Sequence, residues 1–431
     1  MTAPVQSGPP QQRPALAYLI SRYPTLSMVF VLREVLALRA LGFRIHTASI
    51  NPPDRPIAQL TAAEAAEAAR TYCIKRHGLS GAAAAFARTL LTNPGGVLRG
   101  LALVLRLGRL DLAGLALNLM YFLEALMVGQ WMRRNSLRHL HVHLASQAAS
   151  VGLYVHHIFG FGYSLTVHGP DEFYAAHHHH LTRKIAAARF IVCISSFARS
   201  QLMNLSPYEH WSKFIVVRLG VDPSHFDPAH FVPQPLSRQG REVSAFSAQA
   251  PCEILCIGRL TPAKGQHLLI DAVAQLIQQG RAVRLRLAGS GPDEASLRQH
   301  AASIPTPEAV VFEGAVNQER IRSLYADAHL FCLPSFAEGI PVVLMEAMSM
   351  QLPCVSTQIA GIPELIQSGT DGLLVPPSDL HALAGALAQL MDDAPQRQRL
   401  ALAARARILS QYDLRANIQE LAQELTQRLP S

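Results

Sequence analysis

Three features are scarce in this 431-residue chain: cysteine pairs, long uncharged apolar runs and aromatic residues. The six cysteines are scattered and form no Cys-x-x-Cys pair, which favours buried free thiols over disulfides or a zinc site. No apolar run reaches about 18 residues without a charge, so we expect no membrane-spanning helix. The nearest candidate, residues 110–129, contains Asp111 and Glu124.

Acidic residues are also few. The chain has 30 aspartates and glutamates against 38 lysines and arginines, which gives a net charge of +8. This balance favours phosphorylated or anionic-lipid partners. Aromatic residues make up only 6% of the chain and no nucleic-acid-binding motif occurs, so nucleic acid is disfavoured as a partner. Residues 1–14 contain no hydrophobic signal core, and we expect a disordered lead-in and a cytoplasmic protein.

Segment 97–138 combines many leucines with six arginines: Arg99, Arg106, Arg109, Arg133, Arg134 and Arg138. At about 100° per residue, the first three fall on one face of a helix. Two interpretations remain open. One is a basic amphipathic helix in peripheral contact with an anionic membrane, and the other is a core helix with a solvated arginine face.

Alternating strand and helix patterns predict an α/β protein with two doubly wound, Rossmann-like domains in tandem. The N-terminal domain spans 15–221 and carries an Ala/Leu-rich helical insertion at about 57–138. Residues 222–250, rich in Pro, Ser and Gln, are predicted to be a linker. The C-terminal domain spans 251–408, and a last helix in 409–431 follows it. Ligands of such sheets bind beyond the carboxyl ends of the strands, so we expect a site in a cleft between the domains.

Two glutamates eight residues apart mark the most informative segment, 334–346, which reads Pro-Ser-Phe-Ala-Glu-Gly-Ile-Pro-Val-Val-Leu-Met-Glu. Glu338 is predicted on a loop after a buried strand, and Glu346 about one turn inside the next helix. The amides of Gly339 and Ile340 precede the helix N-terminus, where phosphate binds favourably. Carboxylates beside an anion site indicate a ligand with both hydroxyls and phosphate, such as a sugar nucleotide.

Two cations, Arg259 and Lys264, lie five residues apart in the glycine-bounded segment 258–265, directly after the first strand of the second domain. An arginine fork and a lysine point charge can converge on one diphosphate and neutralise it as it leaves. No Asp-x-Asp motif is present to hold Mg²⁺ there, so we expect neither a metal nor another cofactor. Gly289 and Gly291 form a Gly-x-Gly turn that lets a ligand approach the backbone closely.

Both segments resemble motifs of the retaining, sugar-nucleotide-dependent glycosyltransferases of family 4, whose GT-B fold has two Rossmann-like domains facing across a cleft. Segment 334–346 resembles the paired-glutamate signature, and segment 258–265 matches Gly-Arg-Leu-x-x-x-Lys-Gly residue for residue. Pro341 suits the first helical turn, which does not need its missing N–H. The resemblance covers about residues 15–405, and its terminal helix is expected to return to the first domain. The donor-binding residues that it implies are Gly258, Gly289, Gly291, Val316, Gly339, Ile340, Pro341, Glu346 and Gly361.

A histidine follows one strand of the first domain, in His-Gly-Pro-Asp at 168–171. The resemblance gives the histidine of the family's His-x-x-Asp motif a hydrogen bond to the sugar near its reacting carbon, which is His168 here. A structural histidine is the alternative. Asp171 would orient His168 or touch the acceptor. Three further histidines alternate on one predicted strand and are interpreted as structural: His139, His141 and His143.

The loop after the first strand reads Ser-Arg-Tyr-Pro-Thr-Leu-Ser at 21–27, where many family members have a Gly-Gly turn. It is similar to the subgroup that assembles exopolysaccharides such as colanic acid. Ser21 is assigned to the acceptor side by this resemblance. Met28 replaces the glutamate that is usual in the subgroup.

The resemblance implies a hexosyltransferase that moves a sugar, with retention, from a UDP-sugar or GDP-mannose type donor to a saccharide or lipid-linked saccharide. The place implied is cell-surface polysaccharide biosynthesis, at the inner face of the cytoplasmic membrane. Arg259 and Lys264 would stabilise the leaving diphosphate, and Glu338 would orient sugar hydroxyls. Glu346 would hold the ribose and His168 the sugar. Two alternatives remain open: a GT-B-fold sugar-nucleotide epimerase, and a noncatalytic sugar-nucleotide-binding partner of a synthase.

Overall fold

A computed structural model describes residues 13–108, 111–231 and 246–429. The predicted lead-in lies almost wholly outside these residues, as does the centre of the predicted linker. The chain divides into two compact units. The described residues of Met1–Ile194, Arg199–Val217 and Ile418–Ser431 form the first unit, and those of Ser195–Ala198 and Arg218–Asn417 form the second.

The first unit is built on a parallel sheet. Its strands are β1 (Ala15–Arg22), β2 (Arg44–Asn51), β3 (Tyr72–Cys73), β4 (His139–His143), β5 (Gly162–Val167), β6 (Phe190–Cys193) and β7 (Phe214–Val216). They are arranged in the order β3-β2-β1-β4-β5-β6-β7. Strands β4 and β6 are buried along their whole length, as expected for a parallel sheet covered on both faces. The two-residue strand β3 is too short to show an alternating pattern, and the sequence analysis missed it.

Helices cover this sheet. They are α1 (Val29–Ala40), α2 (Ala62–Arg70), α3 (Gly78–Thr92), α4 (Pro94–Gly108), α5 (Leu112–Arg134), α6 (Gln147–Phe159), α7 (Pro170–Tyr174), α8 (Leu181–Ala187) and α9 (Ser196–Asn204). Helix α1 ends at Ala40, and Gly42 follows its C-cap with a φ of 91°, a conformation that glycine adopts readily at the end of a helix. Helices α2 to α5 occupy the stretch predicted as a helical insertion.

The second unit repeats the architecture with a six-stranded parallel sheet. Its strands are β8 (Cys252–Ile257), β9 (Val283–Ala288), β10 (Val310–Gly314), β11 (Leu330–Leu333), β12 (Cys354–Thr357) and β13 (Leu373–Val375), in the order β10-β9-β8-β11-β12-β13. In both sheets the strand order reverses beside the first strand of the unit, so both are doubly wound as predicted.

The helices of the second half are α10 (Gln266–Gln278), α11 (Glu294–Ala302), α12 (Gln318–Asp327), α13 (Val342–Ser349), α14 (Ile362–Leu365), α15 (Leu380–Asp392), α16 (Ala394–Gln411) and α17 (Leu414–Arg428). Strand β13 and helices α15 and α16 add to the elements predicted. The part of α17 from Ile418 onward belongs to the first unit. All six cysteines are buried and free, which confirms the prediction of unpaired thiols.

Helix α5 is the one described helix that is long and apolar enough, by length and composition, to cross a membrane. In its most apolar window, 44% of the residues are buried inside the protein, and the core helix of a folded domain passes the same test. The expectation that no helix spans a membrane therefore stays a prediction.

Glu124 on α5 predicts an unusual pH dependence of stability. Burial raises the pKa of its carboxyl group from 4.5 to about 7, and Oε2 has no hydrogen-bond partner among the described residues. Because the folded pKa lies above the unfolded one, the folded state loses stability as pH rises from 4.5 through 7. Glu124→Gln should therefore raise the free energy of unfolding by about 1–3 kcal/mol at pH 8 and by much less at pH 5.

Denaturant unfolding at the two pH values measures this difference. The exposed Glu420→Gln on α17 is the matched control, and it should change stability equally little at both. An equal gain for Glu124→Gln at pH 5 and pH 8 would contradict the assigned burial of the charge.

Candidate functional site

The predicted donor residues of the second unit follow four neighbouring strands at one edge of its sheet. Gly258 follows β8, Gly289 follows β9, Glu338 follows β11 and Gly361 follows β12. Because the strands are parallel, all four loops emerge at the carboxyl edge. Val316 lies half-buried after β10, at the same edge. The structure thus brings together residues that are about 100 positions apart in sequence.

Two of these loops touch backbone to backbone, which is why they contain glycine. A Cβ atom on Gly289 would lie 1.9 Å from the carbonyl oxygen of Gly258, and one on Gly291 would lie 2.1 Å from that of Leu260. The amide of Leu260 also donates to the carbonyl of Ser290 at 3.1 Å. The loops after β8 and β9 are therefore held together by main-chain packing, with no room for a side chain between them.

A similar approach joins the loops after β11 and β12. The amide of Gly361 donates to the carbonyl of Gly339 at 3.2 Å, and a Cβ atom on Gly361 would come within 2.7 Å of that oxygen. Ile340 is buried beside them. Pro341 is the N-cap of α13, with an extended ψ of 120°, so the prediction that it lies in the first helical turn is wrong by one position. An extended N-cap does not need its N–H either, so proline still fits there.

Lys264 and Glu338 form an ion pair at this edge. Lys264 Nζ lies 2.5 Å from Glu338 Oε1, and the same oxygen accepts a hydrogen bond from Ser335 Oγ at 2.7 Å. Thr357 holds the loop in turn, because its hydroxyl donates to the carbonyl of Ser335 at 2.6 Å. The Glu338 side chain is 8% exposed and that of Lys264 is 24% exposed. The carboxylate is therefore buried at the carboxyl edge of the sheet, and the lysine is the more exposed partner.

Backbone geometry places Lys264 beside Glu338. Lys264 ends a single 3₁₀ turn and is followed by Gly265 with φ 67°, a conformation that disfavours side chains. A Cβ atom on Gly265 would lie 2.2 Å from the carbonyl oxygen of Pro334. The amide of Phe336 donates to the carbonyl of Ala263 at 2.8 Å, which fixes the two loops to each other.

Arg259 differs from Lys264 in having no ion pair. Its side chain is exposed, no carboxylate pairs with it among the residues that the structure describes, and its carbonyl oxygen is fixed by Gln266 Nε2 at 2.9 Å. One cation at this edge is thus an ammonium held by Glu338, and the other has no carboxylate partner in the described part of the chain. An uncompensated guanidinium beside several loop amides favours a diphosphate.

Glu346 lies on the buried side of α13, one turn into the helix as predicted. Its carboxylate Oε2 accepts a hydrogen bond from the hydroxyl of Tyr325 at 3.3 Å, and that hydroxyl also donates to the carbonyl of Val343 at 2.9 Å. Tyr325 was not predicted. It comes from α12, and only the packing of α12 against the start of α13 brings it to this carboxylate.

His168 lies in the first unit, at the carboxyl end of β5, and it ends a chain of buried polar side chains. His168 Nε2 lies 3.1 Å from His143 Nδ1, and His143 Nε2 lies 3.2 Å from Glu34 Oε1. Tyr18 donates its hydroxyl to the same glutamate oxygen at 2.8 Å. Burial, and then His143, lower the pKa of His168, so this imidazole is neutral near pH 7.

This chain of contacts leaves one ring nitrogen of His168 available. Nδ1 of His168 is buried and has no hydrogen-bond partner among the described residues. His143 Nε2 faces the Glu34 carboxylate at 3.2 Å, outside hydrogen-bond geometry, and this negative charge favours the tautomer with the proton on Nε2. In that tautomer His143 Nδ1 accepts a hydrogen bond from His168 Nε2. His168 Nδ1 is then an acceptor that can bind a hydroxyl. His143, interpreted as structural from the sequence, and Glu34, which was not singled out, are the partners that set this state.

Glu172, rather than Asp171, holds the backbone at His168. The Glu172 carboxylate accepts from the amides of His168 at 2.6 Å and Gly169 at 2.8 Å, and also from the amide of Ala145. The Asp171 side chain is exposed, and within the described part of the chain no contact joins it to His168. Ser21 is half-buried at the end of β1, and its carbonyl accepts from Asn51 Nδ2 at 2.8 Å. The acceptor-side assignments of Ser21 and Asp171 stay predictions.

Glu34, His141 and His143 form the group among the described residues that comes nearest to a metal centre, with ligand atoms within 4.8 Å of one another. Most of their polar atoms are already engaged, and His143 Nε2 faces Glu34 without a hydrogen bond. His141 Nδ1 lies 2.8 Å from Ser164 Oγ, and its Nε2 lies 2.8 Å from Thr166 Oγ1. A metal ion would have to displace these hydrogen bonds of His141 and the contacts of His143. The donor set therefore fits a hydrogen-bond network better than an ion.

Residues 251–393 match a protein-family model described as Glycosyl transferases group 1. We call these residues, about a third of the chain, the group 1 domain after this similarity. The group 1 domain contains β8 to β13, and with them every donor residue placed above.

Curated relatives of the group 1 domain include the putative colanic acid biosynthesis glycosyltransferase WcaL of Escherichia coli. It is 40% identical over 182 residues, which cover 41% of this chain and 41% of WcaL. The amylovoran biosynthesis glycosyltransferase AmsK of Erwinia amylovora is 34% identical over 223 residues, covering 50% of this chain and 51% of AmsK. The matched part of the chain thus spans about half the length of these relatives, or less.

Among solved structures, Anabaena HepE in complex with UDP-glucose superposes on 96% of this chain and 99% of its own, with a TM-score of 0.67 and 18% sequence identity. At this identity the similarity shows the fold alone. Both units, including the one outside the group 1 domain, thus have the GT-B architecture that the sequence predicts.

Proposed function

We propose that this protein is a retaining glycosyltransferase that moves a sugar from a nucleotide-diphosphate sugar to a saccharide or lipid-linked saccharide acceptor. The observation that carries the proposal is the Lys264–Glu338 pair at the carboxyl edge of the group 1 domain, on the loop that also carries Arg259, which pairs with no carboxylate among the described residues. Relatives named for colanic acid and amylovoran biosynthesis support exopolysaccharide assembly as the setting. For such assembly we propose a location in the cytoplasm, at the inner face of the membrane.

In the proposed reaction, the bond between the anomeric carbon and the diphosphate oxygen breaks and a new bond to an acceptor hydroxyl oxygen forms. The diphosphate leaves with the bonding electron pair, and Arg259 and Lys264 neutralise that charge. The proton of the acceptor hydroxyl is taken up by the departing phosphate. Glu338 accepts hydrogen bonds from sugar hydroxyls, and Glu346 accepts them from the ribose.

The first test of this proposal measures the binding of nucleotide-sugar donors. We expect UDP-glucose or GDP-mannose to raise the thermal stability of the purified protein, because a ligand at a hundredfold excess over Kd stabilises the native state by roughly 2.7 kcal/mol. ADP- and dTDP-sugars complete the panel. Lys264→Ala should lose the shift, whereas Arg284→Ala, which removes an ion pair with Glu253 on the same sheet, should keep it.

Product analysis then separates the proposal from its alternatives. Release of nucleoside diphosphate only when a saccharide or lipid-linked acceptor is present supports transfer. Conversion of the donor sugar without an acceptor would identify an epimerase instead. Binding of a donor that is never consumed with any acceptor would identify a noncatalytic sugar-nucleotide-binding protein.

A further inference from the structure

A pocket lies in the first unit, and none of its lining residues is assigned to donor binding. It has a volume of about 330 Å³. Its polar lining comes from Arg106 on α4, Thr182 and Arg183 at the start of α8, and His177 and His180 in the turn before α8. Leucine and alanine side chains complete the wall, and no acidic residue lines it.

The charge of this arginine pocket, defined by Arg106, Thr182, Arg183, His177 and His180, is not compensated. Neither arginine forms an ion pair with a carboxylate in the described part of the chain. The neighbouring buried carboxylate, Glu172, is bound by three backbone amides and faces Lys184 instead. Arg106 and Arg183 also lie near enough to His157 to help lower its pKa, after burial and His156. Both arginines thus lie near the same histidine, and the positive charge of the pocket is that of Arg106 and Arg183 themselves.

The two guanidinium groups line one pocket with no carboxylate of the lining between them, and such an arrangement favours a phosphate ligand. Guanidinium groups bind phosphate oxygens through paired, charge-assisted hydrogen bonds, and a hydroxyl such as that of Thr182 can donate another. The apolar part of the wall excludes water from one side, which strengthens the attraction. A phosphate of charge near −2 would neutralise the two arginines.

The pocket opens beside a leucine-rich surface. Arg106 is next to Leu105, which is 69% exposed, and Leu98, 68% exposed, lies two turns earlier on the same side of α4. Leu91 and Leu112, 85% and 84% exposed, flank the helix at its two ends. Soluble surfaces rarely group large exposed side chains in this way. Exposed leucines beside arginines are typical of surfaces that insert into the headgroup region of a membrane.

We propose that the arginine pocket binds the phosphate group of a lipid while the exposed leucines of α4 contact the acyl region. The site goes beyond sugar transfer and does not depend on it, because it contains no residue of the donor edge. The chemistry recognised is a phosphate ester or diphosphate, which a membrane lipid or a soluble phosphate can supply. The position of the leucines favours the lipid.

The test uses the full-length protein without any sugar nucleotide. Co-flotation with vesicles of phosphatidylcholine is compared with co-flotation with vesicles of equal parts phosphatidylcholine and phosphatidylglycerol. We expect binding only to the anionic vesicles. We also expect the double variant Arg106→Ala/Arg183→Ala to bind about 30-fold more weakly, since each basic residue near an anionic surface contributes about one kcal/mol. Arg44→Ala/Arg70→Ala, with the same net charge and both residues exposed elsewhere in the unit, should bind as the wild type does.

Calorimetry with inorganic pyrophosphate forms the second arm, in a Lys264→Ala background that weakens the donor edge. Pyrophosphate binding that is lost with Arg106→Ala/Arg183→Ala supports a phosphate site. If the anionic vesicles then bind both double variants equally, the phosphate comes from a soluble ligand and the lipid assignment is wrong. Unchanged pyrophosphate binding in the pocket variant overturns the site itself. Because both arginines are exposed, these changes should leave the thermal midpoint unaltered, which rules out unfolding as the cause.

Discussion

Lys264→Ala is expected to lower kcat by about 100-fold or more, the scale for removing one electrostatic group that stabilises a transition state. The ammonium group lies at the carboxyl edge of the sheet, beside an arginine without an ion pair, where a leaving diphosphate would gain charge. Turnover of a nucleotide sugar with acceptor, measured at saturating donor, reports the effect. Wild-type kcat in the pure variant would contradict the role.

Lys264→Ala is also expected to affect stability, because Lys264 pairs with the buried carboxylate of Glu338. Losing the lysine leaves Glu338 with Ser335 alone, so Lys264→Ala should also lower stability. Glu338→Gln removes the charge and keeps the shape. In Lys264→Ala/Glu338→Gln we expect the free energy of unfolding to return toward the wild-type value while kcat stays low. Recovery of kcat with stability would mean that the lysine only neutralises Glu338.

The matched control for this pair is Arg284→Ala. Arg284 pairs with Glu253 at 2.9 Å near the amino end of β8, on the sheet that carries Lys264. The same kind of ion pair is removed there, but at the edge opposite to the donor residues. It should change kcat by less than about twofold, because it alters no charge near the leaving group.

His143→Ala is expected to lower kcat by about 10- to 100-fold while nucleotide affinity stays the same. His143 touches no predicted donor residue. It lies between Glu34 and His168, and its loss removes the group that sets which nitrogen of His168 carries the proton. Nucleotide residues lie in the other unit, so the thermal shift given by UDP should persist. The separation of kcat from binding distinguishes a positioning role from general damage.

A buried histidine of the same strand controls for lost packing. His139 lies two residues from His141 on β4, bonds Ser164 Oγ at 2.7 Å and stacks on Phe190. His139→Ala should cost stability comparable to that of His143→Ala but leave kcat near the wild-type value. Equal losses of kcat in the two variants would show that the strand acts only through its packing.

The donor edge could be predicted from sequence because its residues follow buried strands within two local motifs. A strand that ends at Ile257 and one that ends at Leu333 place Gly258 and Glu338 at one edge whatever their separation in sequence. Predicting that these residues meet at one edge therefore required only that the strands of the sheet be parallel. That Lys264 meets Glu338 follows from Gly265, whose left-handed backbone and contact with Pro334 set the lysine beside that carboxylate.

The contacts of His168 could not be predicted in the same way. Glu34 lies on α1, which follows β1, and β1 pairs with β4, the strand of His143. His143 reaches His168 because β4 pairs with β5. Strand order is set by the packing of helices far from this point, and no local pattern encodes it. Glu34 is one glutamate in an apolar helix, with nothing in its neighbourhood to mark it.

The buried thiols make the protein suited to site-specific labelling. All six cysteines are buried, and burial raises the pKa of five of them: Cys193, Cys252, Cys256, Cys332 and Cys354. Maleimides react with accessible thiolates, so the native protein should take up almost no dye. One new surface cysteine in each unit would then carry a fluorophore pair without any prior removal of native thiols. Energy transfer between the dyes would follow the distance between the units during turnover.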